Sequence, residues 1–358
     1  MDSSQITMTA LIKFARKVSA TDIHLIAGAK ITFRVNDKLI SYDDFSSEVM
    51  KPHKIESFVD DILLEDQKQQ LNIEKHMVIA HSIENVGRFR MSVSMQRGSY
   101  NISIKMVNTT IESIQSLEFH SVLEYLPKIK EGLILVSGGA KSGKSTTVAA
   151  VLDGINRQFS KSIVTIEHPI EYLFRHGESI IKQKEVGIDI NSHLEGLKST
   201  LREDPDVIYI DQIPDIETLQ LVLNAAEQGY LIIAAVYYPD ALTTIESILE
   251  AFPTEQRNRT RIQFAKVLKA VVAQQLIFNE SENKKHVVFE VLLNNNAIKR
   301  LIVENKTQQI PLAMTSYRDL GMISMDESLK KMVIEGKIDK ELAYHHSHNP
   351  KQFIALFN

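Results

Sequence analysis

Gly138-Gly139-Ala140-Lys141-Ser142-Gly143-Lys144-Ser145-Thr146-Thr147 follows the spacing G-x-x-x-x-G-K-[ST]. Upstream, Gly132-Leu133-Ile134-Leu135-Val136-Ser137 is a short apolar run of buried-strand type, and residues 146–155 carry apolar periodicity of helical type. A strand that feeds a glycine-rich turn into a helix N-terminus points several backbone N–H groups and the helix dipole at one spot, which suits a phosphate chain. In that geometry Lys144 reaches the β- and γ-phosphates and the Ser145 hydroxyl is placed to ligate Mg²⁺. The whole stretch Gly138, Gly139, Ala140, Lys141, Ser142, Gly143, Lys144, Ser145 and Thr146 is therefore the expected nucleotide cradle, with ATP and Mg²⁺ as the implied ligands.

Working outward from the loop, strands and helices alternate from Gly132 to about Phe278, the signature of a parallel sheet covered on both faces. Expected strands are 162–166, 207–210 and 230–236, with helices over 193–202 and 216–228 between them. Residues from Ala297 onward read as mainly helical, with a break at Gly336 and a polar tail. In His345, His346 and His348 no spaced carboxylate or cysteine completes a metal site, so they belong to that tail. On the other side, residues 21–107 are strand-rich: period-two alternation marks 78–83, 88–93 and 102–107, Asn36-Asp37 marks a turn, and 53–71 reads as one or two helices. The first eighteen residues form an amphipathic helix with Ile6, Ala10, Leu11, Phe14 and Val18 on one face. The expected class is α/β, divided into a small α+β domain over 1–112, a linker over 113–130, the loop-bearing domain over 131–285 and a helical extension over 286–358.

The 358 residues carry 41 basic and 45 acidic side chains, a net charge of −4, and hence no global basic field for nucleic acid. Cysteine is absent, which excludes disulfides and thiolate zinc sites and fits a reducing compartment. No apolar run approaches membrane-spanning length, and the N-terminus lacks the layout of a secretion signal.

Seven segments, in order, resemble the retraction motors of type IV pili within the secretion-ATPase superfamily. Ala20-Thr21-Asp22-Ile23-His24-Leu25 is similar to that family's A-S-D-L-H-L, and Arg88-Phe89-Arg90 to its R-F-R strand. Beyond the loop, Ile166-Glu167-His168-Pro169-Ile170-Glu171 resembles I-E-D-P-I-E, and residues 201–208 resemble L-R-x-D-P-D-V-I. Residues 270–276 resemble A-V-x-x-Q-x-L, 297–304 resemble A-I-R-N-L-I-R-E, and 321–326 resemble G-M-Q-T-M-D. The last two favour retraction motors over extension and secretion motors, which usually carry a four-cysteine module that this chain cannot build.

The resemblance implies a PAS-like N-terminal domain, a RecA-like ATPase domain and a cytoplasmic hexameric ring, with ATP between the two domains. The ring is either homomeric or mixed with a fully active retraction ATPase, and it works on an inner-membrane platform protein of the pilus machine. Glu171 then matches the glutamate that activates water, and Arg88, Arg90 and Arg97 match arginines that reach a phosphate across an interface. Lys105 stands where the family tends to carry a further arginine.

Several positions depart from the family pattern. Its G-E-M-R-D is here Asp211-Gln212-Ile213-Pro214-Asp215, so the motif glutamate is a neutral amide that can take no proton. Asp211 replaces the glycine and offers a carboxylate to the metal beside Ser145. His168 stands for aspartate, and both histidines of G-H-L-x-x-x-T-L-H-T are tyrosines, Tyr230 and Tyr237. Together these imply a chain that binds ATP and hydrolyses it slowly. The alternatives are a non-hydrolysing scaffold or regulatory subunit, and a motor of a type IVB secretion or conjugation system.

Overall fold

Every residue of β7 (Gly132–Ser137) is buried, because this strand runs between two others and is covered on both faces. Alternate side chains serve different cores: Leu133 and Leu135 face one hydrophobic layer, Ile134 and Val136 the other. The computed structural model describes residues 6–35, 38–83, 87–107, 110–115, 121–279 and 284–357. The chain divides into two compact units, Met1–Thr110 with Glu171–Leu173, and Ile111–Ile170 with Phe174–Asn358.

In the second unit, β7 is followed by α4 (Lys144–Gln158), β8 (Ser162–Glu167), β9 (Ile180–Glu185) and α5 (His193–Thr200). After them come β10 (Val207–Ile210), α6 (Ile216–Glu227), β11 (Leu231–Val236), α7 (Ala241–Glu250) and α8 (Thr254–Val267). The antiparallel pair β12 (Leu268–Asn279) and β13 (Lys284–Leu293) completes the sheet. The strand order is β13-β12-β7-β11-β10-β8-β9, parallel from β12 through β9. One face packs against α5 to α8; the other packs against α4 and the 3-10 segment Ser121–Lys128. This is the expected α/β class, with the phosphate loop at the carboxyl end of a central strand, where open α/β sheets place ligands.

Three details differ from the sequence reading. Residues 286–293, expected in a helical extension, continue the sheet as β13, whose buried Val288, Phe289, Val291 and Leu292 pack on both layers. Within the expected linker, Ile114, Leu123 and Leu126 are buried in the core of the second unit, so this stretch packs rather than spans. The C-terminal tail is docked too. After α9 (Asn296–Val303) and α10 (Ile310–Ser316), α11 (Met325–Ile334), α12 (Lys340–His346) and α13 (Pro350–Ala355) bury Leu329, Ala343 and Phe353 against Ile277 and Val288 of the β12–β13 hairpin. The helix break at Gly336 stands as expected: its φ of 72° is left-handed, and Gly336 and Lys337 N–H close onto Val333 and Met332 carbonyls.

In the first unit, α1 (Met8–Lys17) precedes β1 (Asp22–Leu25), β2 (Thr32–Val35), β3 (Lys38–Ile40), α2 (Pro52–Ile62) and α3 (Glu65–Glu74). The meander β4 (His76–Ile83), β5 (Gly87–Gln96) and β6 (Ser99–Met106) follows. All neighbours in the order β3-β2-β1-β6-β5-β4 are antiparallel. The helices cover one face, where Phe33, Phe58, Phe89 and Ile104 are fully buried. The buried stripe of α1 is Met8, Leu11, Ile12 and Ala15, rotated from the expected face so that Ala10 and Phe14 lie at its margin. The expected turn at Asn36-Asp37 lies outside the described residues.

Candidate functional site

The loop from Gly138 to Gly143 turns sharply because glycine stands where other residues are strained. Gly138 has φ 148°, and a Cβ there would lie 2.4 Å from the Gln274 carbonyl and 2.5 Å from Ser142 Oγ. Gly143, with φ 89°, is the N-cap of α4 and lets the chain swing into the helix. Lys141 shares the left-handed region, with φ 61°, although it carries a side chain; it is exposed. From β12, the fully buried Gln274 donates to the Ser142 carbonyl at 2.8 Å and so ties the loop to the neighbouring strand. Sequence reasoning placed this glutamine in a family segment without giving it a role. The signal was there: an amide that directly follows the buried apolar run Ala270 to Ala273.

Lys144 begins α4 and is buried. Its ammonium donates to the Gly138 and Gly139 carbonyls, 2.7 Å each, and lies 4.1 Å from the centroid of the Tyr237 ring. Ser145, at the second helical position, is half-buried. Within the cradle, Ser142 Oγ is buried with no hydrogen-bond partner among the described residues. A buried lysine, an unspent hydroxyl, and a loop too tight for a Cβ at Gly138 fit a phosphate chain that supplies acceptors to both side chains. The same donor set fits a magnesium nucleotide through Ser145.

The carboxylate of Asp211, just past β10, is engaged at both oxygens. Oδ1 lies 2.8 Å from His193 Nε2, and Oδ2 accepts the His168 backbone N–H at 2.5 Å. His168 in turn meets the Val186 carbonyl through Nδ1 at 3.1 Å. Asp211, expected as a metal ligand, also organises the segment after β8. The residue it holds there, His193 on α5, went unread because its helix looked merely structural. Gln212 lies beside Pro214, Val236, Tyr237 and Tyr238 along a groove of about 430 Å³. Among the described residues, no group of three or more histidine, aspartate or glutamate side chains is arranged to hold a metal ion.

In the first unit, β5 presents Arg88 and Arg90 opposite the core-facing Phe89 and Met91. Arg90 pairs in register with Lys105 of β6, which pairs with Asp22 of β1, which pairs with Arg34 of β2, making one charged row across the sheet. Lys105 Nζ donates to Glu171 Oε1 at 3.3 Å. The structure thus brings Glu171, Lys105 and Arg90 together, with Arg88 on the same face of β5. Arg97 stands apart, exposed at the β5–β6 turn with φ 49°. No helix among the described residues is long and apolar enough to cross a membrane.

Comparison with known proteins follows the same lines. The family model described as type II/IV secretion system protein matches residues 4–341. The type IV pilus retractation ATPase PilT of Pseudomonas aeruginosa is 31% identical over 348 residues, covering 97% of this chain and 99% of that protein. The uncharacterized protein YggR of Escherichia coli K12 is 31% identical over 331 residues, covering 92% and 99%. A crystal structure of the pilus retraction motor PilT with bound ADP superposes with a TM-score of 0.90 at 34% identity, over 97% of this chain and 99% of that one. The Legionella pneumophila ATPase DotB shares the fold, with a TM-score of 0.78 at 18% identity over 94% of each chain. With a family match along nearly its whole length, and the phosphate loop in its expected place, this chain belongs to the type II/IV secretion system protein family.

Proposed function

We propose that this chain is a P-loop ATPase of the pilus-retraction kind, converting ATP binding and hydrolysis into movement within a hexameric ring at the inner membrane. The observation that carries the reading is the strand–loop–helix from Gly132 to Gln158, with Lys144 buried in a loop pinned by Gln274. Likeness to PilT over 97% of the chain supports the retraction assignment. The ring, homomeric or mixed with a more active motor, works on a membrane platform protein and on no nucleic acid.

In this reading the N–H groups from Gly139 to Thr146 and the Lys144 ammonium take the phosphates. Ser145 holds Mg²⁺, which supplies positive charge to the transferring phosphoryl group. Glu171 orients and deprotonates the attacking water. Arg88, Arg90 and Arg97 bring charge to a neighbouring subunit's phosphates. Hydrolysis is slow, because Gln212 takes no proton and Asp211 is already spent on His193 and His168.

Calorimetry of the full chain with MgATP tests the nucleotide reading: uptake of heat-detectable nucleotide is expected, with loss in Lys144→Ala. Absence of binding in the wild type defeats it. A deletion strain tests the retraction reading, with hyperpiliation expected and restored to normal by wild type but not by Lys144→Ala. Equal rescue by both would instead support the scaffold role, which the Gln212 amide favours.

A further inference from the structure

The Lys144 ammonium has three N–H donors. Two are directed at the carbonyls of its own loop, and the face of Tyr237 covers it at 4.1 Å from the ring centroid. A phosphate that takes this ammonium competes with these neighbours. The carbonyls belong to Gly138, whose backbone is confined by the Gln274 carbonyl and Ser142, and to Gly139, whose carbonyl also accepts the Ser142 N–H at 3.4 Å. Tyr237 belongs to another element and is 58% exposed, so its ring is the partner able to leave.

Its surroundings favour a side-chain swing over a loop movement. The next residue is clamped: Ser137 Oγ donates to the Tyr238 carbonyl at 2.7 Å and accepts the Tyr238 N–H at 3.2 Å. Thr244 from α7 donates to the same hydroxyl oxygen at 3.0 Å. The backbone at 237–238 is therefore fixed to β7, the strand that carries the loop. Beside Tyr237 lies the groove of about 430 Å³ with Gln212, Pro214 and Val236, large enough to take a displaced ring.

We propose that Tyr237 is a gate on phosphate capture: its ring competes with incoming phosphate for Lys144 and sets both the rate and the affinity of nucleotide binding. This rests on the nucleotide reading above and adds a role that the site's motif residues do not supply. Any ligand whose phosphate bonds to Lys144 meets the same competition, whether pyrophosphate, ADP or ATP.

The test is stopped-flow and equilibrium titration of the full chain with fluorescent ADP and ATP analogues, together with calorimetry of pyrophosphate. Tyr237→Ala is expected to bind all three about two- to fivefold more tightly, through faster association, which is the range of one partly exposed cation–π contact. Tyr237→Phe keeps the ring and is expected to match the wild type. Tyr237→Leu fills the space without a π face and is expected to follow Tyr237→Ala, so the comparison survives if the alanine variant folds poorly. The proposal is overturned if alanine and leucine variants bind no faster than wild type, or if the phenylalanine variant behaves like alanine. A wild-type chain that takes up no nucleotide would overturn the function proposed above as well. A wild type that binds, with variants indistinguishable from it, overturns the gate alone.

Discussion

His193 Nε2 stands 2.8 Å from Asp211 Oδ1 while Asp211 Oδ2 accepts the His168 N–H, so one carboxylate joins α5 to the segment that follows β8. An oxygen pair engaged in this way positions the chain, and the proposed metal ligand is then Ser145. Magnesium dependence separates the two roles. Asp211→Ala should destabilise the fold by about 1–3 kcal/mol, because a buried imidazole and an N–H lose their acceptor. It should nevertheless keep the gain in nucleotide affinity that Mg²⁺ confers. Ser145→Ala should do the reverse, losing the Mg²⁺-dependent gain with its melting temperature nearly unchanged. Paired titrations with Mg²⁺ and with EDTA decide it; loss of the gain in Asp211→Ala would restore that residue to the metal.

Gln212 offers a direct route to the hydrolysis rate. Its amide cannot hold or pass a proton, and a correctly placed general base is commonly worth about 10²–10⁴ in rate. Gln212→Glu should therefore raise steady-state phosphate release by at least about tenfold while leaving the ATP dissociation constant within about twofold. An unchanged rate would mean that Gln212 is not what limits turnover.

Much of this was legible in the sequence, for identifiable reasons. β7, β10 and β11 are buried on both faces, so each appears as a nearly unbroken apolar run that needs no context, and β8 keeps Ile163, Val164 and Ile166 around a buried Thr165. The cradle was legible because Gly138 and Gly143 must be glycine for steric reasons that any sequence of this type shares. β9 was missed because Ile180–Glu185 lies at the sheet edge, with Lys182 and Gln183 alternating among few apolar residues. β13 was missed because 284–293 begins with charged residues and its apolar half, Val287 to Leu293, could belong to either period. Tyr237 looked like a lost histidine; only the fold shows that its ring covers Lys144. Pairings such as Asp211 with His193, or Lys105 with Glu171, join residues far apart in the chain and leave no local trace.

The Lys105–Glu171 pair has partners that are 48% and 37% exposed, so its stabilising effect is small, about 1 kcal/mol at most. Its effect on chemistry should be larger. A lysine 3.3 Å from a candidate general base competes with water for its carboxylate oxygen. Lys105→Ala should leave the melting temperature within about two degrees of wild type, yet change kcat. Glu171→Gln should abolish turnover while nucleotide still binds. If Glu171→Gln hydrolyses ATP as the wild type does, the water-activating role belongs elsewhere.

Glu290 on β13 joins two helices at their first turns: Oε1 accepts the Ala241 N–H of α7 at 2.7 Å, and Oε2 the Met325 N–H of α11 at 3.1 Å. Burial pushes its pKa above the ordinary value, and the Asp240 carboxylate adds to the rise; the two N–H bonds and the charge of His348 oppose it without cancelling it. The folded chain therefore holds a proton on Glu290 at a pH where the unfolded chain has released it. By linkage, this group's contribution to stability is complete below the unfolded value of 4.5 and is lost as pH rises through the folded one. Glu290→Gln removes the titration and sets one amide N–H₂ against a backbone N–H, so the variant should be the less stable protein in acid. As pH rises above 4.5 the wild type should lose its advantage, and the two unfolding curves should converge. Denaturant titrations of both proteins from pH 4.5 to 8 measure the difference directly. A gap that widens with pH would mean that Glu290 is charged in the fold and that its two N–H bonds outweigh its burial.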